Sequence, residues 1–428
     1  MSEPAPAPAA ASDEAAEPRQ PGRPSPGRIV LDAILEGNSA VVTVLAFVLA
    51  IVIGGLLIAF TDPTVLHAWS EFFSAPGNAI AKAWGAAVAA YSAMFEGAIF
   101  NPHTVSAAFQ GGPVSPVFYP LSETCVNATP LIFTGLSVAI AFRAGLFNIG
   151  ATGQLIGGAL FATWLGFGVH MPPVVHVIVV VVGAFAGGAA IGWIVGALKA
   201  WTGAHEVIVT IMLNYVMIYF LSWILSTKAM QRPGRTDLVS PFIDGNARLP
   251  HIAGQSLRVN AAFLVALAVA AGMWWLLTRS TIGFEFRAVG ANARAARAAG
   301  MSVGKAWMLV MLIAGGLAGL AGSSIVQGTD FDLTFQSYGT FGFDGITVAL
   351  LGRARPLGTV LAALLFGALE AGGISMQAQT QTPAELVTVI QSLIVLFVAA
   401  PPLIRAIFRL REARAGGTGQ ALARGWNA

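Results

Sequence analysis

Residues 41–60 read VVTVLAFVLAIVIGGLLIAF, a run without one charged side chain. As a helix it rises about 30 Å, the thickness of a bilayer's hydrocarbon core. Inside lipid every backbone N–H and C=O has to be satisfied within the protein, so a run of this length is read as a membrane-spanning helix. It is too long for the apolar core of a cleaved signal sequence. Composition extends the reading to the whole chain: 56% of its 428 residues are hydrophobic and 10% are charged, with a mean hydropathy of +0.74. Soluble domains carry about a quarter charged residues. The apolar stretches lack the period-two alternation of a membrane barrel, so the fold expected is all-α and polytopic.

Further spans are expected at roughly 124–142, 150–169, 173–197, 206–226, 260–278, 306–325, 341–352, 357–374 and 386–404, giving about ten crossings. Residues 79–100, with Lys82 and Glu96 near their ends, are read as an external or re-entrant helix, because an extra crossing would break the charge parity. Residues 1–40 read as a disordered cytoplasmic tail, 41–404 as the membrane domain and 405–428 as a basic cytoplasmic tail. Most Lys and Arg then fall on the cytoplasmic side, which puts both termini inside. One loop resists: 227–259 holds Lys228, Arg232, Arg235, Arg248 and Arg258, as many cations as 279–305 across the next helix. The arginines after Arg405 decide for 279–305 as the cytoplasmic one. The pair 341–352 and 357–374, joined by GRARPLG, reads either as a tight hairpin or as two half-membrane helices. A net charge of +3 in such a chain faces head groups and cytoplasm, and nucleic-acid binding is not expected. The single cysteine, Cys125, excludes an intramolecular disulfide.

Polar residues inside apolar runs carry the functional signal. In FRAGLFNIGATGQ (142–154), Asn148 is placed to cap a helix starting near Ile149, and Gly150, Gly153 and Gly157 share one face. That bare face admits either a packed helix or a substrate, with Gln154 beside it. Arg143 is read as snorkelling at the inner interface. In HEVIVTIMLNY (205–215), Glu206, Thr210 and Asn214 form a stripe that either lines a pathway or bonds a neighbouring helix. Asp344 and Thr347 share a face in FGFDGITVALLG. Gly188, Gly192 and Gly196 form a small-residue row for close helix packing.

The loop 279–305 contains a short helix around 291–299, capped by Asn292, with Arg294 and Arg297 three residues apart and Gly300 after it. Such a helix either docks on a soluble partner or lies on anionic head groups. The sequence from Gly300 to Ala306 fails as a phosphate-binding loop, being one residue short with Ala306 in place of Ser or Thr. If ATP drives this protein, another subunit hydrolyses it. Scattered histidines offer no catalytic grouping, and no metal ligand set is expected.

FRAGLFNIGATGQLIGGALFA (142–162), EVIVTIMLNY (206–215), FRAVGANARAARAAG (286–300) and FGFDGITVALLGRARPLG (341–358) resemble the permease subunits of bacterial ABC importers for simple sugars and nucleosides, most closely the nucleoside branch. The resemblance covers about 120–404. It implies a bacterial plasma-membrane permease that pairs with a second, similar or identical permease, a cytoplasmic ABC ATPase that binds ATP and magnesium, and an extracytoplasmic substrate-binding lipoprotein. This chain itself would bind no cofactor. It also implies that 286–300, with Asn292, Arg294, Arg297 and Gly300, couples to the ATPase, and that Asn148, Gln154, Glu206, Thr210 and Asn214 stand near the substrate route; Asp344 and Thr347 join these pathway candidates on their own polarity beside glycines at a helix start. Thr152 departs from the family, where an acidic residue is often found. The rival readings are a permease for a simple sugar or branched-chain amino acid, an ion-coupled secondary transporter using Glu206 or Asp344, and a membrane-embedded enzyme.

Overall fold

The computed structural model describes residues 39–383 and 385–409; most of the tails expected at 1–40 and 405–428 lies outside the described residues. The helices are α1 (Ser39–Thr61), α2 (Pro63–Ser70), α3 (Pro76–Ala98), α4 (Pro102–Phe109), α5 (Ser115–Arg143), α6 (Ala151–Gly168), α7 (Pro173–Thr202) and α8 (Glu206–Leu225). They continue as α9 (Ala261–Arg279), α10 (Thr281–Ala291), α11 (Ala293–Ala298), α12 (Val303–Ile325), α13 (Phe341–Leu351), α14 (Pro356–Thr380), α15 (Glu385–Ala399) and α16 (Pro401–Ile407). Local chemistry sets many of these boundaries. Proline opens α3, α4, α7 and α14, where its missing N–H costs nothing. The side chains of Asn260 and Ser280 cap α9 and α10.

Among the described residues, seven helices are long and apolar enough to cross a membrane, or eight if α15 and α16, bent by 93° at Ala400, form one span. The expectation of about ten differs at two places. Helix α6 is 18 residues long, but Gln154 and its glycines lower its apolarity, and it is sheltered from lipid by its neighbours. Helix α13 has only 11 residues, about 16 Å, roughly half a bilayer core. Its partner α14 is a full 25 residues, so the reading as two half-membrane helices holds for one member only. Residues 76–98 form a helix, α3, which packs along α14 and α1 and is not among the seven.

The centre of the bundle is built from α5, α6 and α12, with buried residues on all sides. Helices α1, α8 and α9 lie at the periphery and expose Val44, Leu56, Tyr219, Trp223, Trp274 and Trp275 outward. Close approach at the centre depends on missing side chains. The row Gly188, Gly192, Gly196 on α7 meets α12: a Cβ at Gly192 would lie 2.1 Å from the Met311 carbonyl oxygen, and one at Gly188 would lie 2.3 Å from that of Gly315. Helix α6 joins the same contact: a Cβ at Gly158 would lie 2.2 Å from the Cα of Gly319, which Gly188 of α7 also approaches. Backbone of α12 therefore touches backbone of both α7 and α6, at Gly319 at once.

The loop 227–259 folds over one end of the bundle and uses its cations internally. Arg232 pairs with Asp332 at 2.5 Å and lies over the Phe242 ring, Arg235 pairs with Asp237, and Arg258 pairs with Glu123 at 2.9 Å. Helix α12 ends in a wider turn over Val326–Asp330, whose Gln327 donates to the Ala247 carbonyl oxygen at 2.6 Å and so fixes this cap to the core.

Replacing Gly192 by Ala is expected to destabilise the chain by about 1–3 kcal/mol, because the new methyl meets backbone that cannot yield. Gly272→Ala, where nothing lies within 4 Å, is the control. Thermal unfolding in detergent reads the difference; equal melting temperatures would contradict the packing described.

Candidate functional site

Two groups of the expected residues assemble, at different levels of the bundle. The first is a buried amide knot at the start of α6. Asn148 and Gln154 exchange hydrogen bonds: Asn148 Nδ2 donates to Gln154 Oε1 at 2.9 Å, and Gln154 Nε2 donates to Asn148 Oδ1 at 3.1 Å. Asn148 Nδ2 also donates to Ser137 Oγ on α5, and Asn148 Oδ1 accepts from the Gly150 N–H at 3.0 Å. Asn148 therefore closes the turn before α6. The helix expected to start near Ile149 with Asn148 as its cap starts at Ala151 instead, and Gly150 occupies the cap position with no side-chain cap bond.

Asn214 on α8 reaches into the same knot, accepting from the Gly153 N–H at 2.8 Å and donating to the Ile149 carbonyl oxygen at 2.9 Å. The Gly153 N–H is a donor that a helix start leaves unpaired and the Ile149 carbonyl belongs to the turn before it; a neighbouring helix satisfies both. The bare glycine face is occupied by helices: Gly150 lies against Thr210, Gly153 against Asn214, and Gly157 against Ile191 and Gly187. Thr210 donates to the carbonyl oxygen of Glu206 one turn earlier. Asn148, Gln154 and Thr210 are wholly buried and Asn214 nearly so. Thr152 faces α13 so closely that a Cβ on Gly342 would meet its Oγ1, which leaves little room for an acidic side chain there.

Glu206 stands apart from the knot at the start of α8. It forms an ion pair of 2.5 Å with Lys199, whose Nζ lies 4.8 Å from the centre of the Trp307 ring. Lys199 was not among the expected site residues. Its signal was available, since seven positions and a turn at Gly203, with φ 72°, separate it from Glu206. Asp344 and Thr347 are half-buried on α13, where Asp344 accepts from Thr340 Oγ1 and Thr347 donates to the Asp344 carbonyl oxygen.

The second group is the hairpin 281–298. It is two helices, α10 and α11, broken at Asn292, whose Oδ1 accepts from the N–H groups of Arg294 and Ala295, both at 3.0 Å. Gly300 ends it in a left-handed conformation, φ +87°, that favours glycine. Ala296 is buried against the core, while Arg294 and Arg297 are exposed and form no ion pair among the described residues.

The hairpin is seated on the bundle by backbone. A Cβ at Gly290 would lie 2.3 Å from the Arg143 carbonyl oxygen, and Gly145, with φ +70°, lies against Gly290 in turn. Arg143, expected at the inner interface, has a specific protein partner. Its Nε donates to the Ala354 carbonyl oxygen at 2.9 Å, in a turn where Arg353 and Ala354 both take positive φ, 54° and 49°. One arginine thus joins the end of α5, the turn between α13 and α14, and the seat of the hairpin. Sequence reasoning missed this link because its partner is a carbonyl 211 residues away.

Residues 121–399 match the family described as the branched-chain amino acid transport system permease component. The guanosine ABC transporter permease protein NupP of Bacillus subtilis is 41% identical over 68% of this chain and 83% of its own length. A nucleoside ABC transporter permease protein of Lactococcus lactis, NupB, is 34% identical over 67% of this chain and 81% of its own. A glucose ABC transporter permease protein of Haloferax volcanii is 35% identical over 65% and 76% respectively. No solved structure matches the chain.

Asn214→Ala leaves the Ile149 carbonyl and the Gly153 N–H unpaired in a dry site, and is expected to cost about 1–3 kcal/mol for each. Thr210→Val removes only a bond to its own helix and should leave the melting temperature near wild type. An Asn214→Ala chain as stable as wild type would show that the knot does not hold α6 to α8.

Proposed function

The chain belongs to the branched-chain amino acid transport system permease family, and from that premise we propose that it is the membrane permease of an ATP-driven importer whose cargo is a nucleoside. The similarity across residues 121–399, nearly all of the membrane core, carries the permease assignment. The names of its guanosine and nucleoside relatives support the cargo. The setting is a bacterial plasma membrane with both termini cytoplasmic. The partners are the lipid bilayer, a cytoplasmic ABC ATPase that binds ATP and magnesium, a second permease subunit of similar or identical sequence, and an extracytoplasmic substrate-binding lipoprotein. The chain itself transports and does not catalyse, and it binds neither cofactor nor nucleic acid.

In this reading the hairpin 281–298 receives the ATPase. Its exposed Arg294 and Arg297 are free to meet a carboxylate-bearing groove, and Asn292 and Gly300 fix its two ends. A displacement of the hairpin passes through Gly290 to the end of α5, and through Arg143 to the turn that carries α13 and α14. Alternating access then follows from rocking of these helices. Among the expected pathway residues, the reading assigns the cargo side to Asp344 and Thr347, half-buried on short α13. Asn148, Gln154, Thr210 and Asn214 hold the route's walls together, and Glu206 with Lys199 clamps α7 to α8 at the hairpin end.

The glucose-named relative supports a simple sugar as the competing cargo. Reconstitution with the ATPase, second permease and binding protein is expected to give nucleoside uptake that requires ATP and is not competed by glucose. Uptake by this chain alone on an ion gradient would overturn the reading. Arg294→Glu with Arg297→Glu is expected to cut uptake at least ten-fold, since an interface that loses and reverses two charges loses several kcal/mol. Wild-type uptake by the double reversal would remove the docking role.

A further inference from the structure

A cleft of about 640 Å³ opens at the end of the bundle opposite the hairpin. Its walls come from the end of α3 (Glu96), the connection to α4 (Asn101), the start of α5 (Tyr119, Glu123), the loop before α9 (Arg258) and the last turns of α14 (Ser375). Its level follows from α5: Glu123 precedes Arg143, which touches the hairpin seat, by about 20 residues, or about 30 Å of helix. The cleft and the hairpin are therefore separated by about one hydrocarbon core. A volume of this size suits a small-molecule site.

Its chemistry is uneven. Glu123 Oε2 accepts from Arg258 Nη1 at 2.9 Å, but Glu123 Oε1 is buried without a hydrogen-bond partner among the described residues. Glu96 accepts from Asn101 Nδ2 at 3.2 Å. Leaving a buried acceptor unmatched costs free energy, and more for a charged group. A carboxylate oxygen accepts only, so what completes it has to present an O–H or N–H. Tyr119, half-exposed, offers an aromatic face beside it. With Glu123 ion-paired to Arg258 and Glu96 accepting from an amide, the wall offers acceptor oxygens to a donor-rich molecule with a flat apolar part.

We propose that this cleft is the receiving site on the outer side of the permease, in which Glu123 Oε1 accepts a hydroxyl or amino hydrogen of a neutral nucleoside and Tyr119 stacks on its base. The proposal rests on the nucleoside-importer reading above. It adds a site distinct from the amide knot, and part of its wall, Glu96 to Tyr119, precedes the segment that matches the family.

The assembled transporter in nanodiscs tests it. In a Cys125→Ser background, Ala378→Cys at the exposed rim is alkylated by a membrane-impermeant maleimide, with adenosine or guanosine as protectant. Saturating nucleoside is expected to slow the reaction several-fold, and Glu123→Ala to raise the half-protecting concentration about ten-fold or more. Tyr119→Leu should shift it in the same direction and keeps the test available if the alanine variant does not assemble. A complex that imports nucleoside while the rate at position 378 is unaffected would overturn the cleft alone. A complex that imports no nucleoside would instead overturn the function on which it rests.

Discussion

The contact on which the structure depends is backbone against backbone at Gly188, Gly192, Gly315 and Gly319. Lipid tails are as apolar as leucine, so the hydrophobic effect gives membrane helices little reason to associate. Dispersion contacts between closely approaching backbones supply it instead. Helix α12 is held this way by α7 and by Gly158 of α6, which meet at Gly319, and this fixes α6 against the core. Once α6 is fixed, its unpaired N–H groups need partners that are neither water nor lipid. Asn214 and Asn148 provide them.

This order of causes explains why polar residues in an apolar chain do not all point to cargo. A buried amide satisfied by another amide and by backbone is structural chemistry. Asn148, Gln154 and Asn214 are satisfied in that way, and Glu206 is matched by Lys199. Glu123 is different, since one oxygen is matched and the other is not. The contrast lies in pairing, which only coordinates reveal.

Legibility followed the same division. Long apolar runs, opening prolines and the row at Gly188, Gly192 and Gly196 report local or one-helix properties, and the helices they imply are present with small shifts. The cap at Asn292 was readable because the bond spans two or three residues. The number of spans was less readable, because α6 and α13 depend on neighbours to shield a glutamine or to complete a short helix. Arg143 looked like a snorkelling residue because its partner, the Ala354 carbonyl, is remote in sequence. The cations of 227–259 looked like ordinary loop charge because Asp332 and Glu123 lie far along the chain.

In the importer proposed above, force enters at one end of the bundle and cargo at the other, and the two ends differ in kind. The hairpin end presents Arg294 and Arg297, exposed and without an ion pair among the described residues, on a glycine-seated platform, and the opposite end is capped by a loop whose charges are largely internal. The most direct test is an electron cryomicroscopy structure of the chain assembled with its ATPase. The account predicts residues 281–298 seated in a groove of the ATPase, with Arg294 and Arg297 covered and Arg143 still bonded to Ala354. An ATPase bound at the Arg258 end, or a hairpin left uncovered in the assembled complex, would contradict it.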